Sequence, residues 1–200
     1  LYDYLTHHVG VNTVFTLLTR GAPRDPGAKG FDIRKYEELH AVLERDNKAY
    51  VLSGYYKMPF SDFLNAKRIV RPRIIAKTVR EHRFQIPCYA GSLGGAMFSE
   101  GQVLPCELLI DKEIGNVRDF DYDFKRIWYS PKAHGIRKYI RDTRCFCTYE
   151  CFLTINILFN PLVLPRVAKE WVALKCGQLR HMRSGRASEP TVALTLSSDE

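Results

Sequence analysis

Residues 11–19, VNTVFTLLT, form a β-branched and mostly apolar run, the pattern of a strand covered on both faces. A loop dense in Gly and Pro follows, RGAPRDPGAKGF. Asp32 then precedes IRKYEELHAVLERD, where Ile33, Tyr36, Leu39 or His40, and Leu43 recur at helical spacing. That spacing predicts a helix capped by Asp32. Strand, loop and helix make one βα unit of an α/β fold. A lone parallel strand cannot bury itself, so its neighbours are expected outside this sequence, and the chain is read as truncated.

From Ser61, SDFLNAKRIVRPRIIAKTVREHRF predicts a second helix with a kink or break at Pro72, delivering the chain to Pro87 and Cys88. GAMFS and QVLPC flank Glu100-Gly101, which predicts a hairpin over 95–108 with a tight two-residue turn. That turn would set Cys106 across from Gly95. YDFKRIWYSPKAHGIRKYIRDTR reads as one or two short helices broken near Ser130-Pro131, and another helix is expected to run to about Cys176. Residues 177–200 are polar and aperiodic, and a disordered tail is expected. No apolar run approaches the roughly 20 residues of a membrane-spanning helix. The nearest, CFLTINILFNPLVLP, is interrupted by Asn156 and Asn160-Pro161 and reads as a buried helix end.

Composition narrows this picture. With 46% hydrophobic and 12% aromatic residues, the 200-residue chain belongs to a folded protein of one ordinary domain or two small ones. A net charge of +8 admits an anionic partner: nucleic acid, a phosphorylated metabolite or an anionic cofactor. Lys and Arg are spread along the chain with no block interleaved with aromatics, which favours a solvated basic surface over a nucleic-acid groove. The sequence starts at Leu1 without methionine or a signal-peptide pattern.

The cysteines change it most. Five of six fall in two groups: Cys88 and Cys106 around Gly101, and CFCTYEC with Cys145, Cys147 and Cys151. Three disulfides are one option, but a chain of this size needs no staples, and the tight C-x-C-x3-C group suits metal better. Reduced thiols in a cytoplasmic protein are expected. Gly91, Gly94 and Gly95 in YAGSLGG would let the chain curl back over a metal centre. A helical turn would put Cys147 and Cys151 on one face, with Cys145 near enough to replace either. Tetrathiolate sites suit Zn²⁺ or an iron–sulfur cluster. A first pair eighteen positions apart is unusual for zinc, so a zinc-stabilised interaction or nucleic-acid-binding module is the alternative reading. Cys176, alone in EWVALKC, reads as a packing residue. His7, His8, His40, His82, His134 and His181 have no ligand spacing to the cysteines. Tyr122, Trp128 and Tyr129 read as packing for the cysteine lobe, and Arg137, Lys138, Arg141 and Arg144 as candidate cations near a cluster.

Cys88, twelve residues, Gly101, four residues, Cys106 resembles the C-x9–15-G-x4-C signature of the SPASM/twitch domain, the auxiliary-cluster module of radical S-adenosylmethionine enzymes. VLPCELL is similar to that domain's cysteine strand, IGNVRDF at 114–120 to its glycine-asparagine loop, and IWYS at 127–130 to its short helix. CFCTYEC stands where the family places C-x3-C. The resemblance implies an α/β, overall α+β, arrangement. Residues 1–85 would be the terminal β/α units of a partial radical SAM barrel, 86–160 the SPASM/twitch lobe of a β-hairpin plus helices, 161–176 a C-terminal helix and 177–200 the tail. It implies one auxiliary [4Fe–4S] cluster held by four of Cys88, Cys106, Cys145, Cys147 and Cys151. Cys88, Cys106 and Cys151 match best, with Cys145 or Cys147 as fourth ligand and Gly101 as the turn of the motif.

The C-x3-C-x2-C triad of the catalytic cluster is absent, Thr154 standing where its last cysteine would be, so this chain is not expected to be active alone. The full-length parent would carry S-adenosylmethionine and a second [4Fe–4S] cluster in its N-terminal core, and TLLTRG would line the S-adenosylmethionine pocket. Its partners would be that core, an unidentified peptide or small-molecule substrate, and an electron donor such as flavodoxin or ferredoxin. Neither a membrane nor nucleic acid is implied. The auxiliary cluster would assist substrate binding or electron transfer.

Overall fold

The computed structural model describes residues 1–16, 18, 24–30, 32–52 and 60–183. Helix α1 (Ile33–Lys48) starts where Asp32 caps it, the carboxylate accepting the Arg34 N–H at 2.9 Å. Helix α2 (Ser61–Glu81) is buried around most of its circumference, because it packs against α1 on one side and against α5 (Glu150–Leu158) and α6 (Leu164–Arg183) on the others. The expected break at Pro72 does not occur. The proline has no N–H for the carbonyl four residues back, but it is buried in a helix held on several faces, and that packing outweighs one missing bond.

Before α1, the described residues 10–16 and 18 form no strand. A strand needs a neighbouring strand for its backbone groups, and the strands among the described residues all lie within 96–116. The remainder of that run, with most of TLLTRG, lies outside the described residues, as do 184–200 of the expected tail. Helix α6 does not stop near Cys176 but continues to Arg183.

The sheet has three antiparallel strands, β1 (Ala96–Met97), β2 (Gln102–Leu104) and β3 (Gly115–Asn116), in that order. The hairpin forms, with a different register. Phe98 N–H donates to Gln102 O (3.0 Å) and Gly101 N–H to Phe98 O (2.9 Å), so Ser99, Glu100 and Gly101 make a three-residue turn with Gly101 at φ 86°. Ala96 pairs with Leu104. Continued outward, this register faces Cys106 toward Gly94 rather than Gly95. Asn116 explains the choice: its side chain donates to Glu100 O (2.9 Å), and a Cβ on Gly101 would lie 2.5 Å from its Oδ1. The IGNVRDF segment thus supplies a third strand that locks the turn.

A 3₁₀ turn (Val117–Phe120), α3 (Phe124–Trp128) and α4 (Pro131–Asp142) follow. The break expected near Ser130-Pro131 separates α3 from α4, with Ser130 Oγ accepting the Ala133 N–H (3.1 Å). The fold is therefore α+β: a four-helix layer beside a small sheet covered by short helices. Two apolar cores result. One holds Ala66, Ile69, Val70, Ile74, Ile75, Leu153, Ile157 and Leu174; the other holds Val103, Cys106, Ile114, Ile127, Ile136, Ile140 and Phe152. Adjacent residues Phe152 and Leu153 point into different cores, so α5 is the seam between them.

Candidate metal centre

Cys88 follows the exit from α2, and the chain then doubles back on itself. Gly91, at φ 71°, donates its N–H to Gly94 O (2.7 Å) and to Pro105 O (3.1 Å), which draws the loop after Cys88 onto the strand carrying Cys106. Glycine is needed at the other two positions for closeness, not for dihedral freedom: a Cβ on Gly94 would lie 3.0 Å from Ile155, and one on Gly95 2.8 Å from the Leu104 carbonyl. The curl expected of YAGSLGG is present.

Two of the cysteines share one local arrangement. Leu108 N–H donates to Cys106 Sγ (3.2 Å) and Tyr149 N–H to Cys147 Sγ (3.4 Å). In each case the donor is the backbone two residues further on. An N–H aimed at sulfur favours thiolate over thiol and is what a metal-bound sulfur accepts. Cys145 sits beside Cys88 on one cavity wall. The Cys145 thiol as donor, helped by Ala90 N–H and the Asn156 side chain, holds the Cys88 thiol down at about 6 despite burial. Cys145 is pushed up, first by its bond to Cys88, then by burial and by the charges of Cys88, Cys147 and Cys106. The Cys106 thiol is raised by burial against its N–H donors. Cys88, Cys145 and Cys147 line one small cavity with Ile86, Leu153 and Asn156.

No family model, curated protein or solved structure matches this chain.

Four of the five clustered cysteines are thus neighbours, and Cys151 is not placed with them in the same way. Helix α5 starts at Glu150, so Cys147 precedes the helix and the two do not share a helical face as expected. Cys151 is exposed on the first turn, on the side of α5 near Lys67 of α2. Among the described residues no group of three or more His, Cys, Asp and Glu is arranged to hold a metal ion as it stands. The donor chemistry suits a thiolate-bound metal; the shell is not preassembled, and binding would have to draw at least one sulfur inward.

Other expected roles shift. Arg137 is committed to structure, donating to Gly91 O and Trp128 O and lying over the Trp128 ring at 5.1 Å. Arg144 lies over Phe84 (5.9 Å), Arg141 pairs with Asp142 at the surface, and Lys138 is exposed. Trp128 packs into the lobe as expected, whereas Tyr122 and Tyr129 are exposed. Cys176 is exposed on α6 rather than packed. Composition and spacing did not single out Asn156 as part of the site. It is buried, accepts Tyr89 N–H (2.8 Å) and lines the cavity beside Cys88, whose thiol it helps to lower. Its one sequence signal is a polar residue within the apolar run CFLTINILF.

Proposed function

We propose that residues 86–160 form a thiolate lobe for one auxiliary [4Fe–4S] cluster, working as the SPASM/twitch region of a radical S-adenosylmethionine enzyme. The observation that carries this reading is the proximity of Cys88, Cys106, Cys145 and Cys147, two of them served by a backbone N–H two residues on. These four would be the ligands, and Cys151, the better match by motif spacing, would not. A bound cluster would supply one-electron transfer, or a substrate contact, to the parent enzyme.

The chain's own part is electrostatic and steric. The N–H groups of Ala90, Leu108 and Tyr149 stabilise negative charge on sulfur, and the Asn156 amide adds a fourth donor. Ile86, Phe152 and Leu153 keep the site apolar and limit water. In this reading residues 1–85 close a partial barrel whose remaining strands, S-adenosylmethionine site and catalytic cluster belong to an N-terminal core outside this sequence. Segment 11–19 would pair only with that core. A flavodoxin- or ferredoxin-type donor would deliver electrons, and the substrate would be a peptide or small molecule.

Anaerobic reconstitution with iron and sulfide tests the lobe directly. The expected product is brown, absorbs near about 400 nm and holds roughly four irons per chain. Cys88→Ala, Cys106→Ala, Cys145→Ala and Cys147→Ala lose that iron, whereas Cys151→Ala and Cys176→Ala keep it. A colourless protein binding stoichiometric zinc would move the assignment to a zinc-stabilised module, and full iron retention in Cys88→Ala would remove the ligand set.

A further inference from the structure

A second site lies in the helical layer, outside the cysteine lobe. A cleft of about 500 Å³ opens between α1, α2 and residues 14–16. That volume is in the range that encloses small organic ligands. Its walls are of two kinds. Phe15, Tyr36, Ile69 and Ala76 supply an apolar, aromatic side. Arg68, Arg71, Arg73, Lys77 and Arg80 line it with positive charge, against the carboxylates Glu37, Glu44 and Glu81.

Each of those carboxylates is already answered. Glu37 pairs with Arg80, Glu44 with Arg73 and Lys48, and Glu81 with Arg83. Arg73 also reaches Glu170, and Arg68 donates to Asn65 (2.9 Å) while lying over the Phe15 ring. Arg71 differs. Its Nε is buried and finds no hydrogen-bond acceptor among the described residues. A buried guanidinium N–H without an acceptor is costly, and an oxyanion is the partner whose geometry the guanidinium edge fits. His40, beside it, is held neutral by burial and by Arg71 itself, its pKa lowered to about 4, and it hydrogen-bonds Thr16 Oγ1 (2.8 Å). The site thus keeps its positive charge on arginine and lysine and offers a neutral hydrogen-bonding side.

We propose that this cleft binds an organic phosphate with an aromatic body, its phosphate on Arg71 and Lys77 and its ring against Phe15 and Tyr36. The proposal is independent of any metal in the cysteine lobe.

Calorimetric titration of the full chain with AMP, adenosine and inorganic phosphate tests it. AMP is expected to bind in the micromolar range, with adenosine and phosphate each at least about tenfold weaker, since the phosphate and the ring each contribute. Arg71→Met weakens AMP by about tenfold or more, and Lys138→Ala, on exposed α4 surface, leaves it unchanged. Amide chemical-shift mapping on the unmutated chain needs no stable variant: the shifts are confined to residues 14–16 and the facing sides of α1 and α2. Absence of AMP binding at millimolar concentration, equal affinity for adenosine, or shifts centred elsewhere would overturn the site.

Discussion

At the scale of single residues, two half-buried groups set the pH response. Cys88 is held down at about 6 chiefly because the Cys145 thiol donates to it. In the metal-free chain, Cys145→Ser keeps a donor, a hydroxyl in place of the thiol, while Cys145→Ala removes the donor and lets burial raise the Cys88 thiol. Iodoacetamide alkylation of Cys88, followed from pH 5 to 9 by mass spectrometry, should show its midpoint move up in Cys145→Ala. An unmoved midpoint would mean that Ala90 and Asn156 alone hold the thiolate. His40 provides the second response, since burial lowers its pKa from 6.5 to about 4. A depressed folded-state pKa means that the unfolded chain takes up the proton first. Its share of stability is full above pH 6.5 and is lost as pH falls toward 4. The denaturation midpoint should drop across that window, and less so in His40→Gln.

Among elements, the helical layer is tied by a polar link as well as by its core. Glu170 of α6 is buried and contacts Lys48 of α1 (2.9 Å) and Arg73 of α2 (2.6 Å), and both cations also reach Glu44. Burial pushes against the Glu170 charge, but its two cation partners keep its carboxyl below the ordinary range. Glu170→Ala leaves Lys48 and Arg73 with Glu44 alone and should cost about 1 kcal/mol in urea unfolding, whereas Glu170→Gln, which keeps the shape, should cost less. The hairpin supplies a contrasting case. Glu100-Gly101 announced a turn in the sequence, yet the turn's length, and with it the register, was set by Asn116, fifteen residues beyond Gly101. Gly101→Ala meets both the positive φ and Asn116, so it should destabilise the lobe by about 2 kcal/mol or more, measured as a lowered Tm.

For the molecule as a whole, two cores joined at α5 imply two responses to damage. Phe152 serves the lobe and Leu153 the helical layer. Phe152→Ala should raise hydrogen exchange across β1–β3 and α4 while α1 and α2 stay protected; Leu153→Ala should do the reverse. Uniform loss of protection in both variants would mean that the cores unfold as one unit.

Helices α1 and α2, the hairpin and the break before α4 were legible in the sequence because each rests on local signals: Asp32 as cap, apolar spacing at 3.6 residues, Gly101 beside a polar pair, and Ser130 before Pro131. The continuity of α2 through Pro72 and the absence of a strand among the described residues 10–16 and 18 were not legible, because both depend on which neighbours are present. The same division holds at the cysteines. Their residue types, grouping and intervening glycines follow from the sequence alone. Which sulfurs meet was decided in three dimensions, where α5 begins too late to carry Cys147 and turns Cys151 toward Lys67. A thiol's partners lie across the fold rather than along the chain, so spacing could name five candidates and only packing could gather four.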